Sequence, residues 1–186
     1  MNKTESMASI RNVAVVAAMI MFTSSCANQS FQLTSGSSLS PQKMQNLVLR
    51  PKYPEIYKIP EGTKQKYEAA FPAIHMTNVC VVGNDGGAKP EQPYYYLNTE
   101  VTKYKPGSPF GRLLMTPVIA FGLWGSFVDV DFTICDSATD APLGKGVIRK
   151  ANQWGGAVGG SITSETQLEA CPKEIMDDLN SIMVQK

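Results

Sequence analysis

The chain has 186 residues, with 17 Lys and Arg against 16 Asp and Glu, a formal charge of +1 and a mean hydropathy of −0.13. That balance argues against nucleic acid as a partner and against a polybasic membrane-surface patch, both of which need clustered positive charge. The length suits one domain with a real core and would cramp two.

Met1 to Asn12 is polar and carries Lys3, Arg11 and one acid, Glu5. Val13 to Phe22 follows as ten apolar residues, and then come Thr23, Ser24, Ser25 and Cys26. A positive region, a short apolar run and small residues in that order describe a secretory signal. The run is too short to span a bilayer, which needs ~20 apolar residues. Small residues before a cysteine resemble the lipobox of bacterial lipoproteins, although Thr23 stands where that pattern prefers Leu. The resemblance implies a diacylglyceryl thioether on Cys26, cleavage before it and a third acyl chain on the new amine. Two or more chains anchor a protein stably, whereas one binds only reversibly. Ala27, rather than Asp, as second residue of the mature chain implies the outer membrane by the usual sorting pattern. An ordinary secreted protein cut near Ser25 or Ala27 is the alternative.

Loss of residues 1–25 removes Lys3, Arg11 and Glu5 and brings the formal charge to about zero. Residues 27–44 are rich in Ser, Gln and Asn with few large apolar groups, a composition that does not offset its ordering entropy. Residues 26–44 therefore read as an anchored cysteine and a tether, and 45–186 as a single periplasm-facing domain.

From Gln45 the pattern changes. Asn46 to Leu49 and Glu55 to Ile59 are short strand-like runs. Glu61 to Phe71 reads as a helix begun by Pro60 and stopped before Pro72. Ala73 to Gly83 reads as a buried strand, and Tyr94 to Tyr104 as a β-branched and aromatic strand with Tyr95, Leu97, Thr99 and Val101 on one face. Leu113 to Val130 is the most hydrophobic stretch after the signal. In its second half Val128, Val130, Phe132 and Ile134 alternate with Asp129, Asp131 and Thr133, the signature of a strand with one wet face. Residues 136–144 carry turn chemistry, and 145–152 return as the second strand of a hairpin. The last element is an amphipathic helix with Leu168, Cys171, Ile175, Leu179 and Ile182 on one face. Ser164 with Gln167 fits a capping box, and Pro172 predicts a kink or a fresh start. The predicted fold class is α+β, a mostly antiparallel sheet covered on one face by helices.

From Tyr104 to Lys186 the pattern resembles a group of poorly characterised bacterial envelope lipoproteins. The resemblance rests on Gly107, Arg112, Leu113, Gly122, Gly125, Asp136, Thr139, Gly155, Gly156 and the helix from Ser164. Such sequences commonly place Gly after the Thr, and here Asp140 stands instead. The group implies a periplasm-facing α+β domain and no known activity.

The residues offer little chemistry. His75 is the only histidine, in an apolar run without a nucleophile elbow beside it, so a structural role is the commoner one. Gly155 to Gly160 lacks the Gly-Lys-Ser/Thr ending of a phosphate loop. Asp129 and Asp131 share one face without a third ligand in sequence, and Tyr94 to Tyr96 offers an aromatic surface. Cys80, Cys135 and Cys171 have no zinc or C-x-x-C spacing. Cys80 and Cys135, both in strand-like runs, are the candidate disulfide pair.

Leu113 to Trp124 is too short to span a membrane and is either a central strand or an exposed interface, with Leu113, Leu114, Val118, Phe121 and Trp124 as its contact residues. The functional expectation is a non-enzymatic outer-membrane lipoprotein, without cofactor or metal. It would be anchored through Cys26 and would partner envelope proteins or itself in an assembly such as a secretion-channel core complex. The alternative is a lipoprotein binding a small apolar or envelope-polymer ligand.

Overall fold

The computed structural model of the chain describes residues 28–106, 126–152 and 163–184. Six strands form one open sheet: β1 (Gln29–Leu33), β2 (Leu47–Lys52), β3 (Val81–Asn84), β4 (Tyr95–Lys105), β5 (Ser126–Asp136) and β6 (Pro142–Asn152). Their order across the sheet is β1-β6-β5-β4-β2-β3. The pairs β1–β6, β6–β5 and β5–β4 are antiparallel, whereas β2 runs parallel to both β4 and β3. Among the described residues three helices accompany it: α1 (Pro41–Met44), α2 (Glu61–Ala73) and α3 (Ser164–Val184). The α+β class and the helix-covered face follow the sequence pattern.

The core lies between the helices and one face of the sheet. On β5, Val128, Val130, Phe132 and Ile134 are fully buried, as their alternation requires. Leu97, Thr99 and Val101 of β4 lie on the same side. Helix α2 lays Thr63, Tyr67 and Phe71, one turn apart, against this layer. Helix α3 adds Leu168, Cys171, Ile175, Met176 and Leu179. It runs unbroken through Pro172, so no fresh start occurs there.

Four local expectations are corrected. First, α3 is capped one residue earlier than the Ser164 pattern implies. The Thr163 hydroxyl accepts the Thr166 amide at 3.3 Å, while Ser164 donates its hydroxyl to the Lys105 carbonyl at 2.6 Å and ties the helix to β4. Second, residues 55–57 form a 3-10 turn rather than a strand. Third, β3 is confined to Val81–Asn84, and of the run before it only Val79 is fully buried.

The fourth correction concerns the tether. Gln29–Leu33 is an edge strand paired with β6, and Phe31 is buried and stacked on Phe132 with ring centroids 5.9 Å apart. The Phe31 amide donates to the Asp178 carboxylate on α3 at 2.6 Å. Leu39 and Met44 are buried as well. A polar average hides three apolar anchors, and backbone pairing to β6 is blind to composition. Burial of a side chain such as Phe31 stabilises by about 2–3 kcal/mol, enough to hold a five-residue edge strand in place.

Candidate functional site

Among the described residues the helices lie on one face of the sheet only and leave the opposite face open. Residues paired across strands share a face, so the register builds this surface directly. Arg50, Asn98, Thr133 and Lys145 form one row, and Lys52, Glu100, Asp131 and Val147 the next. Lys103, Asp129 and Arg149 form a third.

Arg50 is the hub of the surface. Its Nε donates to Asp85 Oδ2 and its Nη1 to Asp140 Oδ1, both at 2.9 Å. The guanidinium carbon sits 3.1 Å from the centroid of the Tyr96 ring, a stacked cation–π contact. The Tyr94 ring meets Tyr96 edge-on at 5.3 Å, and their hydroxyls are 3.1 Å apart. That bond with Tyr94, followed by Lys89 and Arg50, holds the Tyr96 hydroxyl below its ordinary value against the opposing effect of burial. Tyr94 is raised by the same bond, and Lys89 by its hydrogen bond to Tyr96. Tyr95 points the other way, and its hydroxyl accepts the Ser40 amide at 3.1 Å. Tyr94 and Tyr96 therefore share this face without Tyr95, and of the two Tyr96 is buried and Tyr94 half-buried.

Beside the hub lies an open depression of about 620 Å³ lined by Arg50, Lys52, Asn98, Glu100, Asp131 and Thr133, among others. Lys52 pairs with Glu100 at 2.9 Å, and Asp131 accepts the Thr102 hydroxyl at 3.2 Å. The Asn98 amide nitrogen donates to Cys135 Sγ at 3.2 Å. This depression is open to solvent and lined by polar and charged side chains. Asp129 and Asp131 lie on it as the alternation predicts. Burial raises the Asp129 carboxyl, and Lys103 and Arg149 oppose the shift. No cluster of three metal-ligating side chains occurs among the described residues.

The remaining candidates fare differently. His75 is exposed just after α2, and no hydrogen bond to a serine or cysteine is found for it among the described residues. The Cys80–Cys135 disulfide is corrected: both thiols are free, as is that of Cys171. Cys80 precedes β3 while Cys135 lies on β5, with β2 and β4 between them. Three strand spacings, about 14 Å, exceed the roughly 7 Å limit between bridged Cα atoms. Cys26, Leu113, Leu114, Val118, Phe121, Trp124 and the Gly155–Gly160 stretch lie outside the described residues. The flanks of the apolar segment, Lys105 and Ser126, both sit at the end of the sheet where β1 begins.

Arg50 escaped the sequence reading, although Val48, Arg50 and Lys52 do alternate with buried neighbours. Pro51 obscured the strand, and the two acids that hold Arg50 come from distant turns.

No family model matches the chain, and no curated protein sequence does. Several solved structures match it at low identity and with TM-scores under 0.5. The PelC dodecamer from Paraburkholderia phytofirmans is 12% identical over 80% of this chain and 97% of its own, with a TM-score of 0.48. A Xanthomonas campestris protein of the DUF330 family is 11% identical over 82% and 90%, with a TM-score of 0.43. A lipoprotein from Neisseria meningitidis is 11% identical over 73% and 96%, with a TM-score of 0.39.

Proposed function

We propose that the chain is a bacterial envelope lipoprotein, anchored in the outer membrane through Cys26, whose domain serves as a non-enzymatic subunit of an envelope assembly. The observation that carries the assembly role is the open sheet face with Arg50 stacked on Tyr96. Arg and Tyr are the residue types that dominate binding energy at interfaces, and here ion pairs to Asp85 and Asp140 already hold the guanidinium in place. Preorganisation of that kind lowers the entropy cost of docking. The exposed position of His75, without a hydrogen bond to a serine or cysteine among the described residues, supports the non-enzymatic part. No helix among the described residues is long and apolar enough to cross a membrane.

The test is photo-crosslinking in intact cells from a reactive amino acid placed at Asp131, an exposed position on the same face. A discrete adduct, with a second copy or another envelope protein, that disappears on Arg50→Ala supports the reading. A chain that stays uncrosslinked while folded and membrane-bound contradicts it.

A further inference from the structure

Taking Cys26 as the anchored residue, as proposed above, the register of β1 determines how the domain stands on the membrane. Asn28 is already pinned: its side-chain oxygen accepts the Arg149 amide at 2.8 Å, and its amide nitrogen donates to Glu174 at 3.3 Å. Gln29 is paired with Val147 in the sheet. Only Ala27 separates Asn28 from Cys26, so their Cα atoms are at most about 7 Å apart in any conformation. Acyl chains on Cys26 therefore enter the bilayer beside the sheet itself, and a domain on so short a link rests one end on the lipid.

The strand register identifies that end. From the Gln29–Val147 pair, β6 runs on through Arg149 to Asn152, β5 starts at Ser126 opposite it, and β4 finishes at Lys105 opposite Phe127. The Tyr57 hydroxyl bonds the Thr102 carbonyl and brings the 3-10 turn to the same place. Ile56 of that turn is 81% exposed, the most exposed of the large apolar side chains described. Lys103 and Lys105 hold their ammonium groups 4.9 and 5.7 Å from the centroid of the half-buried Phe127 ring. Apolar groups flanked by lysines match the headgroup layer of a membrane, where hydrocarbon meets the acyl boundary and ammonium groups meet phosphate. The far end, the turn between β5 and β6, carries Asp136 and Asp140 in ion pairs with Lys43 and Arg50.

We infer that the sheet end bearing Ile56, Lys103, Lys105 and Phe127 lies on a phospholipid surface, so that the domain stands upright with the Asp140 turn pointing away from the bilayer. The open face with Arg50 and Asp131 is then perpendicular to the membrane and accessible from the side, as an assembly of neighbours on one membrane requires.

The test uses the full lipidated chain in vesicles of phosphatidylethanolamine and phosphatidylglycerol that contain a lipid with a nitroxide-labelled headgroup. A bimane fluorophore is attached through Ile56→Cys in one preparation and Ala138→Cys in another, each with Cys80→Ala. Both labelled positions are exposed, so neither disturbs the core. Quenching several-fold stronger at position 56 than at 138 is expected. Equal quenching, or stronger quenching at 138, overturns the orientation. Mass spectrometry of the same preparation separates the two ways of failing. An unacylated Cys26 removes the anchor and the orientation together, whereas an acylated chain with equal quenching removes the orientation alone.

Discussion

Asp140 holds φ at 56°, a left-handed conformation that costs most L-residues about 1–2 kcal/mol and glycine nothing. The envelope lipoproteins that the C-terminal half resembles commonly carry Gly at that position, and the backbone here explains why. Aspartate is among the few side chains that tolerate the conformation, and its carboxylate reaches Arg50 at 2.9 Å. The turn thus exchanges backbone ease for a contact that orients the hub of the open face. Asp140→Ala, which keeps the backbone cost and loses the ion pair, should lower stability by about 1–2 kcal/mol relative to Asp140→Gly. Urea unfolding of the two variants reads the difference.

Asp136 gives the pH dependence at the same scale. The hydrogen bond from Lys43, followed by that from the Ala138 amide, holds its carboxyl below the ordinary 3.8. Between the lowered folded value and 3.8 the unfolded chain binds more protons, so the stabilisation is complete above 3.8 and is lost as the pH falls through the folded value. Lys43→Met should therefore lose less stability than wild type on acidification below that point, as measured by denaturant midpoints. The thiols make a third check. Burial pushes the Cys171 thiol up to about 12 and raises that of Cys135 too, while Cys80 is only half buried. A maleimide should modify Cys80 in the native protein and reach Cys135 and Cys171 only after denaturation. A wild-type Cys80 that resists modification until reduced would restore the disulfide.

Whole elements were legible where one period dominated. The strand at Val128–Ile134 and the helix at Leu168–Leu179 announce themselves through residues that all face one core. Elements held by single anchors were not. Strand β1 depends on Phe31, whose ring fits only because Gly144 lies beneath it, as Gly146 does beneath the Phe132 ring. A Cβ on Gly144 would stand 2.3 Å from Phe31 Cζ and 2.8 Å from the Gln32 carbonyl oxygen. Gly144→Ala should accordingly cost about 1–3 kcal/mol and raise amide exchange along Gln29–Leu33 before it affects β4. The cap of α3 illustrates the same limit. Ser164 satisfied the motif, but its hydroxyl is committed to β4, and Thr163 took the capping role. Thr163→Ala should destabilise by about 1 kcal/mol, visible in thermal unfolding. As for the candidate site, alternation showed which acids face outward. The stacking of Arg50 was invisible, because its partners Asp85, Tyr96 and Asp140 are brought together only by the sheet order.

At the scale of the molecule, a one-sided sheet, a short link to Cys26 and an open face with a fixed arginine form one account. Among the described residues, helices on one side supply stability and leave the other side open, the side proposed above for a partner. Attachment at Cys26, as proposed, would restrict that face to directions along the membrane. The account depends most on the state of Cys26, and the direct measurement is the mass of the N-terminal peptide from protein extracted out of bacterial envelopes. A peptide that starts at Cys26 and carries a diacylglyceryl group with an amide-linked acyl chain is the predicted result. An unmodified peptide, or one that begins at another residue, would contradict it.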